Sequence, residues 1–397
     1  MKLALIIDDY LPHSTRVGAK MFHELAVELQ SKGHQVVVIT PQPNQDQRLV
    51  KDAVEGVEVW RFNSGKIKDI SKVKRAINET FLSYMAWIAI RKEIKPNSFD
   101  GIIYYSPSIF FGGLVSKLKK YCHCPAYLIL RDFFPQWAID GGMIRKGSLI
   151  ERYFRFFEKY SYNQADSIGV MSENNLKLFK EVTSDHYSTH ILRNWASLAS
   201  VASYHQECSF RQKLGIENKI LFFYGGNIGH AQDMANLMRL TKKMQKYPKA
   251  HFLFVGQGDE VNLINRLAKE WLLENFSYMP SIDQDAFKQL LQEIDVGLFS
   301  LAASHTAHNF PGKLLGYMQE GKPILGSVNV GNDLLETINE NKAGFCLVNG
   351  EDELLFQAAE KLMSTDLRTD LGLCSKELLK SQFTVEASCS VILSELQ

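Results

Sequence analysis

Short runs of consecutive apolar residues, bounded by turn residues and separated by stretches of helical spacing, recur along this chain and constrain its fold more than any other feature. Residues 3–7 and 35–40 are two such runs, with residues 19–31 between them. In that intervening stretch Phe22, Leu25, Ala26 and Leu29 stand three and four positions apart, which puts them on one face of a helix. Gly33 occupies the place where helices end in a left-handed residue, and His34 leads into the second run. Two strands that are apolar throughout, joined by an amphipathic helix, make a parallel βαβ unit whose sheet is covered on both faces.

The pattern continues. Residues 57–62, 101–105, 126–130 and 167–171 read as further strands, alternating with helical stretches such as 150–162. A weakly patterned segment, 197–210, rich in Ser and Ala, has the composition of a linker. Strand-like runs then resume at 220–224, 251–255, 276–279, 296–300, 324–326 and 345–348. A chain of 397 residues is too long for one core. The expected fold is therefore α/β, with two Rossmann-like domains, 1–205 and 206–397, and with the last helix free to pack back on the first. Ligands of such sheets bind beyond the carboxyl ends of the strands, so the two domains are expected to face a central cleft.

Composition narrows the function. Apolar residues make up 45% and charged residues 22%, the balance of an ordinary globular protein. A formal net charge of +1 gives no whole-molecule attraction to nucleic acid, and no nucleic-acid module is recognisable. Asp8 and Asp9 interrupt the first apolar run too early for a secretory signal, and the longest apolar stretch, 81–90, is about half of the ~20 residues that span a bilayer. The six cysteines are scattered, with only Cys122 and Cys124 close, which fits a reducing cytoplasm better than disulfides or a zinc site.

Three loops carry candidate chemistry. The first, residues 9–18, includes His13 and ends at Gly18, where a helix begins and its free amides can face an anion or sugar hydroxyls; a plain βα turn is the other reading. The second is Tyr224-Gly225-Gly226-Asn227-Ile228-Gly229, directly after the first strand of the second half, where a pyrophosphate could lie against the glycines. It lacks the full dinucleotide fingerprint, and a tight structural turn is the alternative. The third runs from Asn309 to Ile324 and includes Pro311-Gly312-Lys313-Leu314. A lysine at a helix entrance opposes the helix dipole, so either an anion such as a diphosphate compensates Lys313 or the side chain is solvated.

On these residues the whole chain resembles retaining glycosyltransferases of the family 4 type, with the two-domain GT-B architecture. The resemblance rests on Tyr10-Leu11-Pro12 with Gly18, on Gly33-His34-Gln35-Val36, on Gly226-Asn227-Ile228-Gly229 and on Pro311-Gly312-Lys313-Leu314 through Gly321-Lys322-Pro323. Arg131-Asp132-Phe133-Phe134-Pro135 further resembles a turn of the branch that builds bacterial surface polysaccharide, including L-fucosamine transferases of O-antigen synthesis. The resemblance implies a nucleoside diphosphate sugar as donor, a UDP-linked amino or deoxy sugar such as UDP-N-acetyl-L-fucosamine, bound by the second domain through Gly226, Asn227, Gly229, Lys313 and Leu314. The acceptor would be a polyprenyl-diphosphate-linked saccharide bound by the first. The family's pair of glutamates falls on His308 and Gly316, so neither is present, and Glu336 is the substitute considered for holding the ribose.

Arg131 and Asp132 end a strand of the first domain, where a carboxylate can orient an acceptor hydroxyl or stabilise an oxocarbenium-like centre; a local ion pair or cap is the alternative. Asp283 and Asp285 imitate a metal-binding Asp-x-Asp but precede a helix, where they suit capping, so no cofactor and no catalytic metal are expected. Lys66, Lys68, Lys72, Lys74 and Arg75 lead into Phe81, Tyr84 and Trp87, and Lys117, Lys119 and Lys120 add charge, a composition suited to an anionic membrane surface or simply to a solvated helix. The enzyme is thus expected in the cytoplasm, peripheral on the inner face of the membrane. A nucleotide-sugar epimerase, and a non-catalytic assembly partner with a decayed donor site, are the competing readings.

Overall fold

Two parallel sheets account for nearly all the apolar runs. The computed structural model describes residues 1–14, 16–67, 70–106, 108–184, 186–198, 209–304 and 310–397, the side chains of residues 72 and 73 excepted. The chain forms two compact units, Met1–Trp195 together with Val385–Gln397, and Ala196–Thr384.

The first unit holds β1 (Lys2–Ile6), β2 (Gln35–Pro43), β3 (Leu49–Val54), β4 (Val57–Ser64), β5 (Gly101–Ser106), β6 (Ala126–Leu130), β7 (Ser167–Val170) and β8 (Thr189–Ile191). Their order across the sheet is β3-β4-β2-β1-β5-β6-β7-β8, parallel except that β3 runs antiparallel to β4. β1, β5 and β6 are apolar because helices cover both faces: Ala4, Ile6, Tyr104 and Leu128 enter one core, Leu3, Leu5, Ile103 and Ile129 the other. β3 and β8 escape the sequence reading for a physical reason. Lying at the two edges, they bury little, and β3 carries Lys51 and Asp52 in its middle.

The second unit holds β9 (Ile220–Asn227), β10 (Ala250–Gln257), β11 (Phe276–Met279), β12 (Val296–Ser300), β13 (Ile324–Val328) and β14 (Gly344–Val348), all parallel, in the order β11-β10-β9-β12-β13-β14. Connections leave β9 in one direction and return to β12 on its other side, so the loops after these two strands diverge. In the first unit the same reversal separates β1 from β5. These are the switch points where doubly wound sheets take ligands. The two Rossmann-like α/β units expected from the sequence are those observed.

The chain changes unit after Trp195, whose fully buried indole donates to the Met21 carbonyl at 2.8 Å, while the Ala196 amide donates to Phe383 O at 2.9 Å. The boundary expected near residue 205 falls among residues 199–208, outside the described residues. The last helix, Val385–Glu395, sets Val385, Cys389 and Ile392 into the first unit's core beside Met21 and Phe22.

Candidate active site

At the switch point of the second unit, β9 runs out in Tyr224-Gly225-Gly226-Asn227. Gly226 has φ +114°, a conformation that a side chain strains against, which explains the glycine here. The Tyr224 hydroxyl donates to Asn227 O and folds the turn over its ring. Asn227 in turn donates to Gln232 Oε1 at 2.7 Å, and Gly229 is buried between it and Asp259.

The helix Lys313–Gln319 is locked onto this turn by Tyr317. Its fully buried hydroxyl accepts from the Gly225 amide at 3.3 Å and lies 3.3 Å and 3.2 Å from the carbonyl oxygens of Phe223 and Leu298. Burial pushes that phenol well above its ordinary pKa, so it remains a neutral hydroxyl. Lys313, the first residue of the helix, is thereby delivered to the turn. Its Nζ stands 3.4 Å from the centroid of the Tyr224 ring and 3.7 Å from where a Cβ on Gly226 would be. Among the described residues no carboxylate pairs with it. Withdrawal from water holds its pKa well below the ordinary lysine value. A cation held by an aromatic face and a glycine turn, without a counter-ion, is a place for an anion.

The other expected donor residues divide. Leu314 has its side chain in the core and its amide on Pro311 O at 3.1 Å, so it packs the helix rather than facing a ligand. Glu336 is exposed in the first turn of the helix Leu334–Glu340, beyond β13. A Cβ on Gly316 would meet Leu291 Cδ1 at 3.1 Å, so that position faces the helix Gln284–Glu293. His305 and His308 lie outside the described residues. Asp283 accepts from the Ala286 amide at 2.8 Å and caps its helix, and Asp285 pairs with Lys288 at 3.4 Å.

The first unit has the opposite charge at its switch point. Asp8 follows β1, Asp132 follows β6, and Tyr105 stands near the end of β5 between them. Burial, with the like charge of Asp8 adding to it, pushes the Asp132 carboxyl up to about 6. Tyr105 is pushed well upward by burial and by both carboxylates. Gly18 opens this spot, since a Cβ there would come within 3.1 Å of the Tyr105 hydroxyl. His13 is exposed in the same loop, which Ser14 organises by donating to Asp9 at 2.6 Å.

Arg131, expected beside Asp132 as a catalytic residue, is drawn inward. Its guanidinium is buried, donates through Nη2 to the Arg193 carbonyl at 3.1 Å and lies 5.4 Å from the Trp195 ring centroid. Nε and Nη1 are shut from solvent without a partner, and desolvation lowers the pKa to about 10. It ties the end of β6 to the chain at Arg193. The sequence reading missed Asp8 and Tyr105, and it placed Tyr224 and Tyr317 inside candidate segments without giving either a role. Asp8 carries a usable signal, being the first polar residue beyond β1; Tyr105 reads only as a strand end.

Residues 207–374, most of the second unit, match the family model described as glycosyl transferases group 1. The chain is 25% identical over 258 residues, 65% of its length, to WbjE of Pseudomonas aeruginosa, named as a glycosyltransferase; the match spans 64% of that protein. It is 24% identical over 344 residues to WcaI of Escherichia coli (strain K12), named as a colanic acid biosynthesis glycosyl transferase, covering 81% of this chain and 82% of that one. Among solved structures, sucrose-phosphate synthase from Thermosynechococcus elongatus is similar with TM-score 0.74 at 15% identity, covering 99% and 97% of the two chains. Anabaena HepE in complex with UDP and glucose is similar with TM-score 0.69 at 14% identity, covering 100% and 99%. These likenesses show the GT-B fold.

Proposed function

We propose that the chain transfers a sugar, with retention, from a nucleoside diphosphate sugar to a lipid-linked saccharide in the assembly of a bacterial surface polysaccharide. The observation that carries this reading is the unpaired Lys313 ammonium over the Tyr224 ring at the Gly226 turn, inside the segment that matches group 1 glycosyl transferases. A diphosphate there supplies the missing counter-charge and raises the lysine's depressed pKa again. A UDP-linked amino or deoxy sugar such as UDP-N-acetyl-L-fucosamine is the proposed donor; the HepE complex with UDP supports the base. The name of WcaI, a colanic acid biosynthesis glycosyl transferase, supports polysaccharide assembly. A polyprenyl-diphosphate saccharide as acceptor and a peripheral site on the inner face of the cytoplasmic membrane complete the proposal.

In the reaction, the bond from the anomeric carbon to the diphosphate breaks as the acceptor oxygen bonds to that carbon on the same face, and the acceptor proton passes to the leaving diphosphate. Lys313 stabilises the charge growing on the leaving group. Asp132, ionised above about pH 6, orients the acceptor hydroxyl beside Tyr105. No metal ion or resident cofactor is proposed.

The test is incubation with UDP-, GDP- and ADP-sugars and a bacterial lipid extract. Sugar transferred to lipid from a UDP-sugar, and lost in Lys313→Ala, is the expected result. No turnover of any sugar nucleotide would leave the decayed-site reading, which rests on the missing carboxylate at Gly316.

A further inference from the structure

The helix Leu149–Tyr162 has an apolar face wider than the fold buries. Phe154, Phe157 and Tyr162 turn inward to the first unit's core. Leu149, Tyr153, Phe156 and Tyr160, spaced four, three and four residues apart, form the stripe beside that inward face, where Tyr153 and Phe156 pack edge-on to Phe157, and stay exposed, Leu149 at 81% and Phe156 at 65%. The Phe156 and Tyr160 rings stack with 6.2 Å between centroids and 4° between planes, so the stripe is ordered rather than splayed. Tyr153 and Thr80 are joined by a hydrogen bond through their hydroxyls, which carries the apolar surface onto the neighbouring helices, where Ile77, Phe81 and Tyr84 are also more than half exposed. An ordinary surface scatters such residues singly; this one gathers them.

The charges around the stripe are of one sign. Arg152 and Lys159 flank it on its own helix, and Arg145 and Lys146 precede it, all exposed and none paired with a carboxylate among the described residues. The helix's two acids, Glu151 and Glu158, lie within ion-pair distance of Arg155 at 3.8 and 2.9 Å, and Glu158 is buried besides. Exposed aromatic and aliphatic side chains bordered by uncompensated cations complement an interface of acyl chains beneath anionic headgroups.

We infer that the stripe Leu149-Tyr153-Phe156-Tyr160 is the face by which this protein docks on an anionic bilayer. Of the basic stretch expected from the sequence, Lys68 and the Lys72 side chain lie outside the described residues, Arg75 pairs with Glu79, Phe81 and Tyr84 are exposed, and Trp87 is half-buried under Lys117, 5.5 Å away. The inference deepens the peripheral-membrane part of the proposed function by naming its surface.

The test is flotation of the full chain with phosphatidylcholine vesicles and with vesicles of 7:3 phosphatidylcholine to phosphatidylglycerol. Binding is expected to the mixed vesicles at least tenfold more tightly than to the neutral ones. The double variant Leu149→Glu, Phe156→Glu should lose it tenfold or more, and Arg152→Glu, Lys159→Glu, which leaves the apolar stripe intact, should lose several-fold at low salt. Melting temperature and UDP affinity, measured on the same preparations, should not move. Vesicle binding equal in wild type and both variants overturns the assignment, as does no binding by wild type. A wild-type dimer dispersed by Phe156→Glu would show that a second copy, not a membrane, covers the stripe. Vesicle binding without UDP binding would remove the donor reading and leave this surface standing; UDP binding without vesicle binding would do the reverse.

Discussion

The two sheets have the same architecture and opposite chemistry at the same place. Where β1 and β5 diverge, the first unit collects Asp8, Asp132 and the Tyr105 hydroxyl, and burial, with the like charge of Asp8 adding to it, pushes the Asp132 carboxyl up to about 6. Where β9 and β12 diverge, the second unit collects glycine, an aromatic ring and a lysine without a counter-ion. The fold alone specifies neither. A handful of residues beyond the strand ends make one switch point acidic and the other cationic, which is the contrast on which the proposed acceptor and donor roles rest.

Substitutions that exchange or erase this contrast should produce effects in a definite order. Asp132→Asn should lower the rate of sugar transfer by about 10²–10⁴-fold with UDP affinity unchanged, as for loss of a positioned carboxylate; a steady-state assay beside a UDP titration reads both. Next, Lys313→Ala should weaken UDP binding by about 1.5–3 kcal/mol, the worth of a charge-assisted bond, while Asp132 keeps its raised pKa.

The acidic site can be sharpened through pH. If Asp132 works ionised, transfer rises with pH through about 6, and Asp8→Asn, which removes a like charge, moves that midpoint lower. Stability should run the other way. A carboxyl whose folded pKa is raised favours the folded state most below its unfolded value, near 4, and loses that contribution as pH climbs through about 6. Asp132→Asn should therefore gain stability relative to wild type at pH 7.5 compared with pH 4, on the order of 1–2 kcal/mol for this partly covered group; urea melts at the two pH values decide the sign.

The smallest effect belongs to the acids that resemble a metal motif. Asp283→Ala should cost about 1 kcal/mol of stability through its lost cap and change transfer less than about twofold. A tenfold fall restored by added manganese would make Asp283 a ligand instead.

What could be read in advance follows the same division. Runs buried on both faces announce themselves, so β1, β2, β5, β6 and most strands of the second sheet were visible as strands, and the turn at Gly226 stood out because its backbone needs glycine. Edges did not show, since β3 buries too little to leave a pattern. Lys313 was legible from a local conflict, a cation at a helix start. Asp8 gains its meaning only when β6 brings Asp132 close, a pairing about 120 residues apart that no local window contains. The burial of Arg131 was hidden for a related reason: Trp195, whose ring lies 5.4 Å from its guanidinium, is more than 60 residues further along the chain. The outward stripe of the helix Leu149–Tyr162 was hidden by the expectation that apolar spacing points to a core.

The central claim is that the two switch points divide the work by charge, and calorimetric titration of UDP, GDP and ADP into wild type, Lys313→Ala and Asp132→Asn tests it most directly. The account predicts selective UDP binding, weakened about 10–150-fold in Lys313→Ala and untouched in Asp132→Asn. Equal affinity in wild type and Lys313→Ala, or no binding of any of the three nucleotides to wild type, would contradict it.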